Sequence, residues 1–414
     1  RGDVVRDVWQ TLPDVQSIHQ AVFEQCLAAL DNVAGGSSDS VLIVGPAGSG
    51  KTHLLSRLQQ HLLSTSSEAA DRALRCLFVA VKLQAHASQL WQHVRQRLTA
   101  DLQRQVQGLT QLQRLVAHQL AAEHGEPPAK WVRTVRVLAS LSEATFSDDL
   151  RRIADRLDLG RDMTTVLEHL VIGRQHVHDA RAWLRGESLP DAVLERLGLG
   201  RADESEEREQ QARQVVAALC RLAGETLPIV FCFDQIEALQ LHSQDREALF
   251  SYGRLAADLS EADDNILIIS CIQSSLSDEL RQNVRGADWD RAFKRRAVLA
   301  PLKAPQVEAL VKLRLDSSPE LAAQRKLEPA APFYPFDRAT MREFVELKPC
   351  LPRRVLALAA AHFERLRGRD PAPPPIDDFL ENAFESRRRA AIEAGRPDDS
   401  AITLKHGLPM LWHA

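Results

Sequence analysis

The residues with the clearest chemical pattern are Gly45, Pro46, Ala47, Gly48, Ser49, Gly50, Lys51 and Thr52, which are consecutive. A glycine, four residues, then Gly-Lys-Thr is the spacing of a phosphate-binding loop. Glycines let the backbone curl until successive N–H groups point inward at phosphate oxygens. Lys51 supplies a cation for the outer phosphates, and Thr52 supplies a hydroxyl for Mg²⁺. His53 extends the candidate nucleotide-contacting stretch by one residue. Far downstream, the apolar run 227–233 (LPIVFCF) ends in Asp234-Gln235-Ile236-Glu237. A carboxylate ending a buried strand is suited to hold Mg²⁺ through water, which puts Asp234 with Thr52 on the metal. Hydrolysis also needs a carboxylate to activate water. Glu237 is the candidate, because the residue directly after Asp234 is a glutamine. Gln273, after the apolar run 265–272, is the candidate to touch the terminal phosphate or the attacking water.

These side chains need elements to hold them. The apolar run 41–44 precedes the loop as a strand. Residues 51–63 follow as a helix with Leu54, Leu55, Leu58 and Leu62 on one face. That helix aims its positive N-terminal end at the same anion. Residues 76–81 (CLFVAV) read as a second buried strand. Strand, helix, strand at this spacing is a βαβ unit, so the expected class is α/β, a parallel sheet with helices on both faces. Upstream, residues 15–30 read as a helix entered through Pro13-Asp14, with Val15 and Ile18 set either to cover a nucleotide base or to pack in the core.

Residues 84–222 break this alternation. They show helical periodicity and no strand, with breaks near Gly125, Gly160 and Gly186. A stretch that long must be a packed insertion and not a loop. The acidic run 203–207 reads as a solvated helix start, and Trp91, Trp131 and Trp183 as core anchors. A helix with Leu249, Phe250 and Leu255 precedes the strand at 265–272. The basic cluster 290–296 then precedes a short apolar strand at 298–302. Three readings of the cluster stay open: a solvated surface, a phosphate-contact patch for nucleic acid, or an arginine offered to a neighbouring subunit's nucleotide. Helices follow at 306–315, 338–347 and 352–363, the last with Pro352 at its start and Arg353 in its first turn. Residues 329–335 and 370–375 read as linkers, and 379–393 as an amphipathic basic segment with Arg387, Arg388 and Arg389.

Composition bounds the rest. The chain has 414 residues, 44% hydrophobic and 26% charged, with a net charge of −4. No global basic field advertises nucleic acid, so any such contact is a local patch. The six cysteines form no C-x-x-C pair, and several fall in apolar runs, which reads as buried free thiols in a reducing cytoplasm. His169, His176 and His178 are polar helix positions before they are metal ligands. No apolar run is long enough to span a membrane. Abundant arginine, alanine and leucine suggest a GC-rich bacterial genome, and the start at Arg1 suggests a piece of a longer protein.

The whole set, in this order, resembles the AAA+ and STAND ATPases. Those families share a P-loop α/β core followed by a helical lid. The resemblance implies ATP and Mg²⁺ as cofactors, Gln273 as sensor one and Arg353, in a Pro-Arg-Arg start, as sensor two. It also implies Arg296, or else Arg295 or Arg291, as a trans-acting finger. The lid start is most similar to the origin-initiator and Holliday-junction-motor branches, whereas D-Q-x-E is similar to bacterial STAND proteins. ATPases of phage-defence systems mix such features and carry long helical insertions. The implied layout is a helical segment at 1–40, a P-loop core at 41–302 interrupted by the insertion at 84–222, a helical lid at 303–370 and an extension at 371–414. The implied function is an ATP-hydrolysing homo-oligomer that couples nucleotide state to remodelling or recruitment of a nucleic-acid or protein partner, in phage defence or mobile-element control. The other reading is a STAND-like signalling switch with slow hydrolysis, a flanking effector domain and no nucleic-acid contact. A metabolic P-loop kinase fits neither the lid arginine nor the insertion.

Overall fold

The computed structural model describes residues 7–10, 13–63, 75–83, 86–106, 108–136, 143–172, 176–200, 205–224, 227–240, 245–262, 265–327 and 331–368. The expected loop at 64–68, the first residues of the acidic run at 203–204, part of the linker at 329–335, the linker at 370–375 and the segment 379–393 lie outside them. The described residues form two compact units. One takes in the described parts of Val5–Pro46 and Gly50–Ala300. The other takes in Ala47–Ser49 and the described part of Pro301–Ala414.

The first unit is built on a five-stranded parallel sheet. Its strands are β1 (Asp39–Val44), β2 (Leu77–Lys82), β5 (Ile229–Asp234), β6 (Ile266–Ile272) and β7 (Arg295–Val298), in the order β2-β5-β6-β1-β7. The three inner strands are buried along their whole length. Continuous apolar runs such as IVFCF and ILIISCI suit strands covered by helices on both faces. Helices α1 (Gln20–Ala34), α2 (Lys51–Leu63) and, downstream, α11 (Arg246–Ala262), α12 (Ser277–Asn283) and α13 (Gly286–Ala292) belong to this layer arrangement. Leu54, Leu55, Leu58 and Leu62 of α2 are all buried, as their spacing predicts. All six cysteines are buried free thiols. Among the described residues, no helix is long and apolar enough to cross a membrane.

The stretch between β2 and β5 is a packed array of helices: α3 (Leu90–Leu102), α4 (Gln111–Glu123), α5 (Pro128–Arg136), α6 (Glu143–Arg156), α7 (Arg161–Ile172), α8 (Val177–Arg185), α9 (Asp191–Leu197) and α10 (Ser205–Ala223). It is not strand-free as expected. A two-residue hairpin pairs β3 (Gln105–Val106) with β4 (Leu109–Thr110). Two-residue strands carry too little alternation to be read from a sequence. The hairpin delivers Thr110 as the N-cap of α4, where its hydroxyl accepts from the Gln113 N–H at 3.1 Å and Gln113 answers at the Thr110 N–H.

That cap aims the first residue of α4 at the sheet. β2 is an edge strand, and its open side is closed by side chains of the inserted helices. The Gln111 carboxamide accepts from the Phe78 N–H at 2.8 Å and donates to the Phe78 carbonyl at 3.0 Å. It thereby imitates one residue of a neighbouring strand. The Asp101 carboxylate accepts from the Ala80 N–H at 2.8 Å. Burial raises the pKa of Asp101, and that backbone bond and Arg104 pull it back down. An edge closed this way cannot pair with another chain.

Three other boundaries differ from expectation. The first helix begins at Gln20 and not at residue 15. Residues 13–19 are instead held in turns on α2, because the Asp14 carboxylate takes the His53 ring at 2.9 Å and the Arg57 guanidinium at 3.2 Å. Arg57 also donates to the carbonyls of Gln16 and Ile18. The last strand is Arg295–Val298 and not 298–302, so the basic residues are in the strand itself. Register with β1 sets Arg295 beside Val41, and the buried Asp39 neutralises the Arg295 guanidinium at 2.7 Å. β5 extends to Asp234, which completes the strand that the apolar run begins.

The second unit is helical: α14 (Ala304–Asp316), α15 (Pro319–Leu327), α16 (Arg338–Val345) and α17 (Pro352–Leu366). Pro305 lies in the first turn of α14 and Pro352 in that of α17, where a missing N–H costs nothing. Asp337 caps α16 by accepting from the Thr340 N–H at 2.8 Å.

Removing the Gln111 carboxamide leaves the Phe78 N–H and carbonyl buried without partners. Gln111→Ala is expected to lower unfolding free energy by about 2–4 kcal/mol, against about 1 kcal/mol for Gln113→Ala at the cap. Denaturant melts of the two variants decide it. Equal losses would mean that the edge closure contributes no more than an ordinary cap.

Candidate nucleotide-binding site

Parallel order brings the carboxyl ends of β1, β5 and β6 to one edge of the sheet, where ligands of such sheets bind. β1 runs into the loop that starts at Gly45. The Gly45 N–H donates to the Ile272 carbonyl at 3.2 Å, and the Gly45 carbonyl accepts from the Ser274 N–H at 3.3 Å. These two bonds bracket Gln273 and fix it beside the loop's first residue. The Lys51 ammonium is buried and donates to the carbonyls of Gly45 at 2.7 Å and Pro46 at 3.2 Å. Thr52 sits in the first turn of α2, and its hydroxyl donates to Asp234 Oδ2 at 2.7 Å. β6 lies between β1 and β5, so this bond spans two inter-strand steps.

Directly after Asp234 the backbone turns through Gln235, a non-glycine residue at φ 61. A left-handed residue costs about 1–2 kcal/mol relative to glycine. It starts the short helical turn Ile236–Leu239, which buries Ile236 and returns Glu237 to the site. Burial raises the Asp234 pKa, while the Thr52 hydroxyl and then the Lys51 charge act to lower it. Burial likewise raises that of Glu237. Lys51 is the largest opposing influence, Asp234 pushes further up, and a hydrogen bond from the Gln273 side chain pulls down. Lys51, Thr52, Asp234, Glu237 and Gln273 therefore form one electrostatic cluster.

Two atoms of that cluster are left over. Asp234 Oδ1 and Glu237 Oε2 are buried and accept no hydrogen bond. Unpartnered buried carboxylate oxygens are costly unless something cationic or protic meets them. Mg²⁺ and a water molecule are such groups, so the donor set fits a magnesium nucleotide. Thr52 and Asp234 would hold the metal.

His53 and the arginines of the basic cluster have partners outside that group. The His53 ring is turned to Asp14 and holds the segment at 13–19. Arg296 is exposed on β7 and donates to Ser277 Oγ at 3.1 Å. Arg291 pairs with Glu261 at 2.9 Å, and Lys294 bonds to Ser38. The arginines of the basic cluster thus already have partners within their own chain. Arg353 is in the first turn of α17, and within the second unit its N–H donates to the Gly48 carbonyl at 3.3 Å. Among the described residues no set of three or more histidines, cysteines or carboxylates is gathered as a metal site. Gln111, Asp101 and Arg57 carry structural roles that no motif marks.

A parallel sheet whose first strand runs into a glycine-rich loop, with a buried aspartate bonded to the threonine of that loop, defines a P-loop nucleotide-binding fold. A family model described as an AAA ATPase domain matches residues 20–269, more than half the chain, and the chain belongs to that family. No curated protein matches it.

Gly48 has φ +74, and a Cβ built there would stand 2.8 Å from Arg353 Cβ. Both the backbone conformation and the neighbour oppose a side chain. Gly48→Ala is expected to destabilise the chain by about 1–3 kcal/mol and to weaken nucleotide binding. Unchanged melting and unchanged nucleotide titration together would refute that account.

Raised carboxyl pKa values mean that the folded chain holds protons more tightly at Asp234 and Glu237 than the unfolded chain does. Their contribution to stability is complete below the unfolded carboxylate pKa and is lost as pH rises through the folded values. Cations compete with those protons, so Mg²⁺-dependent nucleotide affinity should rise with pH. Calorimetry at about pH 5 and about pH 7.5 reads this as weaker binding and proton release on the acid side. Equal affinity at both values would count against it.

Proposed function

We propose that the chain is an ATP-hydrolysing module that works as an oligomer and couples its nucleotide state to remodelling or recruitment of a nucleic-acid or protein partner. The observation that carries the hydrolytic part is the Thr52–Asp234 bond at 2.7 Å with an unpartnered Glu237 oxygen in the same cluster. Mg²⁺, when bound, neutralises charge on the outer phosphates. Lys51 supplies the protein's own cation. Glu237 takes a proton from the attacking water as the bond between the terminal phosphorus and the bridging oxygen breaks, and ADP leaves. Gln273 orients that water or the terminal phosphate.

The oligomeric part is supported by resemblance and by one placement. Arg296 is exposed on an edge strand, and among the described residues its guanidinium meets only the Ser277 hydroxyl, a neutral partner that does not offset its charge. Resemblance alone supports Arg353 as sensor two, and likewise a role in bacterial defence or mobile-element control. A slower, switch-like use of ATP is favoured by Gln235, which occupies the position where a second acid is commoner.

Glu237→Gln is expected to lower ATP turnover about a hundredfold or more while ATP binding persists. Turnover within a few-fold of the parent would remove Glu237 as the base. Mass photometry of the same variant with Mg·ATP tests assembly. A discrete oligomer lost in Arg296→Ala supports the trans arginine. A chain that binds ATP and stays monomeric favours the switch.

A further inference from the structure

A cleft of ≈ 200 Å³ opens in the inserted helices between α3, the end of α8 with its following loop, and α10. Arg95 of α3 lines it and is 2% exposed. Its Nε donates to the Leu184 carbonyl at 2.9 Å, Nη1 to Gln211 Oε1 at 3.1 Å, and Nη2 to the Trp183 carbonyl. The guanidinium also lies 5.0 Å from the Trp183 ring centroid. Every one of these partners is neutral, and no carboxylate pairs with Arg95 among the described residues. The two carbonyls belong to the last turn of α8 and carry only the partial negative charge of a helix end. A buried cation with partial compensation alone is a costly arrangement. Burial pulls the Arg95 pKa down to about 10, in keeping with that cost.

The same cleft holds guanidinium donors that the described residues leave unspent. Arg208 of α10 lines it, is exposed, and has no hydrogen-bond or ion-pair partner among the described residues. Arg185 spends Nη2 on Gln103 at 3.0 Å and reaches Glu187 weakly at 3.4 Å, while its Nε is buried and unpartnered. Exposed Glu187 and Asp191 line the cleft as well, and Asp191 already has a partner. Three guanidinium groups thus face two carboxylates in a space that suits a small molecule.

We propose that this cleft binds a small oxyanion, a phosphate or carboxylate group, with Arg208 and Arg185 as its donors and Arg95 as the buried counter-charge. Guanidinium groups bind both anions through paired N–H donors. Glu187 and Asp191 repel an extended polyanion, so a small ligand is favoured over nucleic acid. The site lies in the insertion and is independent of the hydrolytic reading above.

The phosphate-binding loop is itself an anion site, so the test compares variants in a Lys51→Ala background, with the Mg·ADP-saturated parent as a second background. Thermal-shift and calorimetric titrations use inorganic phosphate in one arm and malonate in the other. Saturable binding in either arm, weakened about tenfold or more by Arg208→Ala with Arg185→Gln, supports the site. A response to phosphate alone assigns phosphorylated ligands, and a response to malonate alone assigns carboxylates. Arg208→Ala removes an exposed side chain with no partner among the described residues, so its fold should persist, and an unchanged melt without ligand verifies that. No saturable binding, or binding equal in parent and double variant, overturns the proposal. Binding of a single-stranded oligonucleotide that Arg208→Ala abolishes, with no response to either small anion, overturns it too.

Discussion

One hydrogen bond, from the Thr52 hydroxyl to Asp234 Oδ2, sets the constraint that the rest of the site obeys. Its two residues follow or end strands that do not touch, because β6 separates β1 from β5. The bond therefore depends on two registers at once. Val44 is level with Ile272, and Phe233 is level with Ser270. A slip of one residue in β5 would turn Asp234 to the opposite face of the sheet. Continuous apolar runs do not fix register by alternation. Polar residues within them help: Ser270 on β6 holds the buried Tyr252 hydroxyl at 2.6 Å, and Ser40 on β1 accepts from the Lys294 N–H at 2.8 Å. These internal polar pairs anchor strands whose hydrophobic pattern alone would tolerate sliding.

The electrostatic character of the site follows from that geometry. Two buried carboxyl groups share the Lys51 ammonium, which is already bonded to the loop's own carbonyls, and Asp234 also feels the Lys82 charge. Burial raises both carboxyl pKa values, and the nearby lysine charges offset only part of that rise. A divalent cation would reverse that shift, and a carboxylate freed from its proton is the form that can act as a base. On the proposed reading, metal binding and readiness for hydrolysis are one electrostatic event. Gln235 contributes through shape. Its left-handed backbone is what lets a glutamate three residues beyond Asp234 come back to the strand end.

Most of this site is legible in the sequence, because its chemistry is local. Gly45 to Thr52 is a contiguous motif, and Asp234 and Gln273 each terminate an apolar run. The helix face of α2 follows from leucine spacing alone. Long-range compensation is not legible. Nothing at position 14 announces that its carboxylate holds residues 53 and 57, and that pairing moves the start of the first helix to Gln20. Arg295 reads as part of a basic cluster until Asp39 is seen beside it, and the pair draws it into β7. Gln111 reads as one more polar helix residue. Its function as a substitute strand neighbour depends on a backbone 33 positions away in the chain.

That last contact bears on what the insertion is. A module merely looped out between β2 and β5 could be deleted without harm to the sheet. Here the edge of β2 has its N–H and carbonyl groups satisfied by residues 101 and 111, both inside the insertion. The strand it closes pairs with β5, which ends in Asp234. Excising the helices would bare a buried edge one strand away from Asp234. Conversely, the α3 helix that carries Asp101 also carries Arg95 at the arginine-lined cleft. One uninterrupted helix, α3, therefore lines the cleft through Arg95 and closes the sheet edge through Asp101, so the insertion's packing and the sheet's edge are not separable parts.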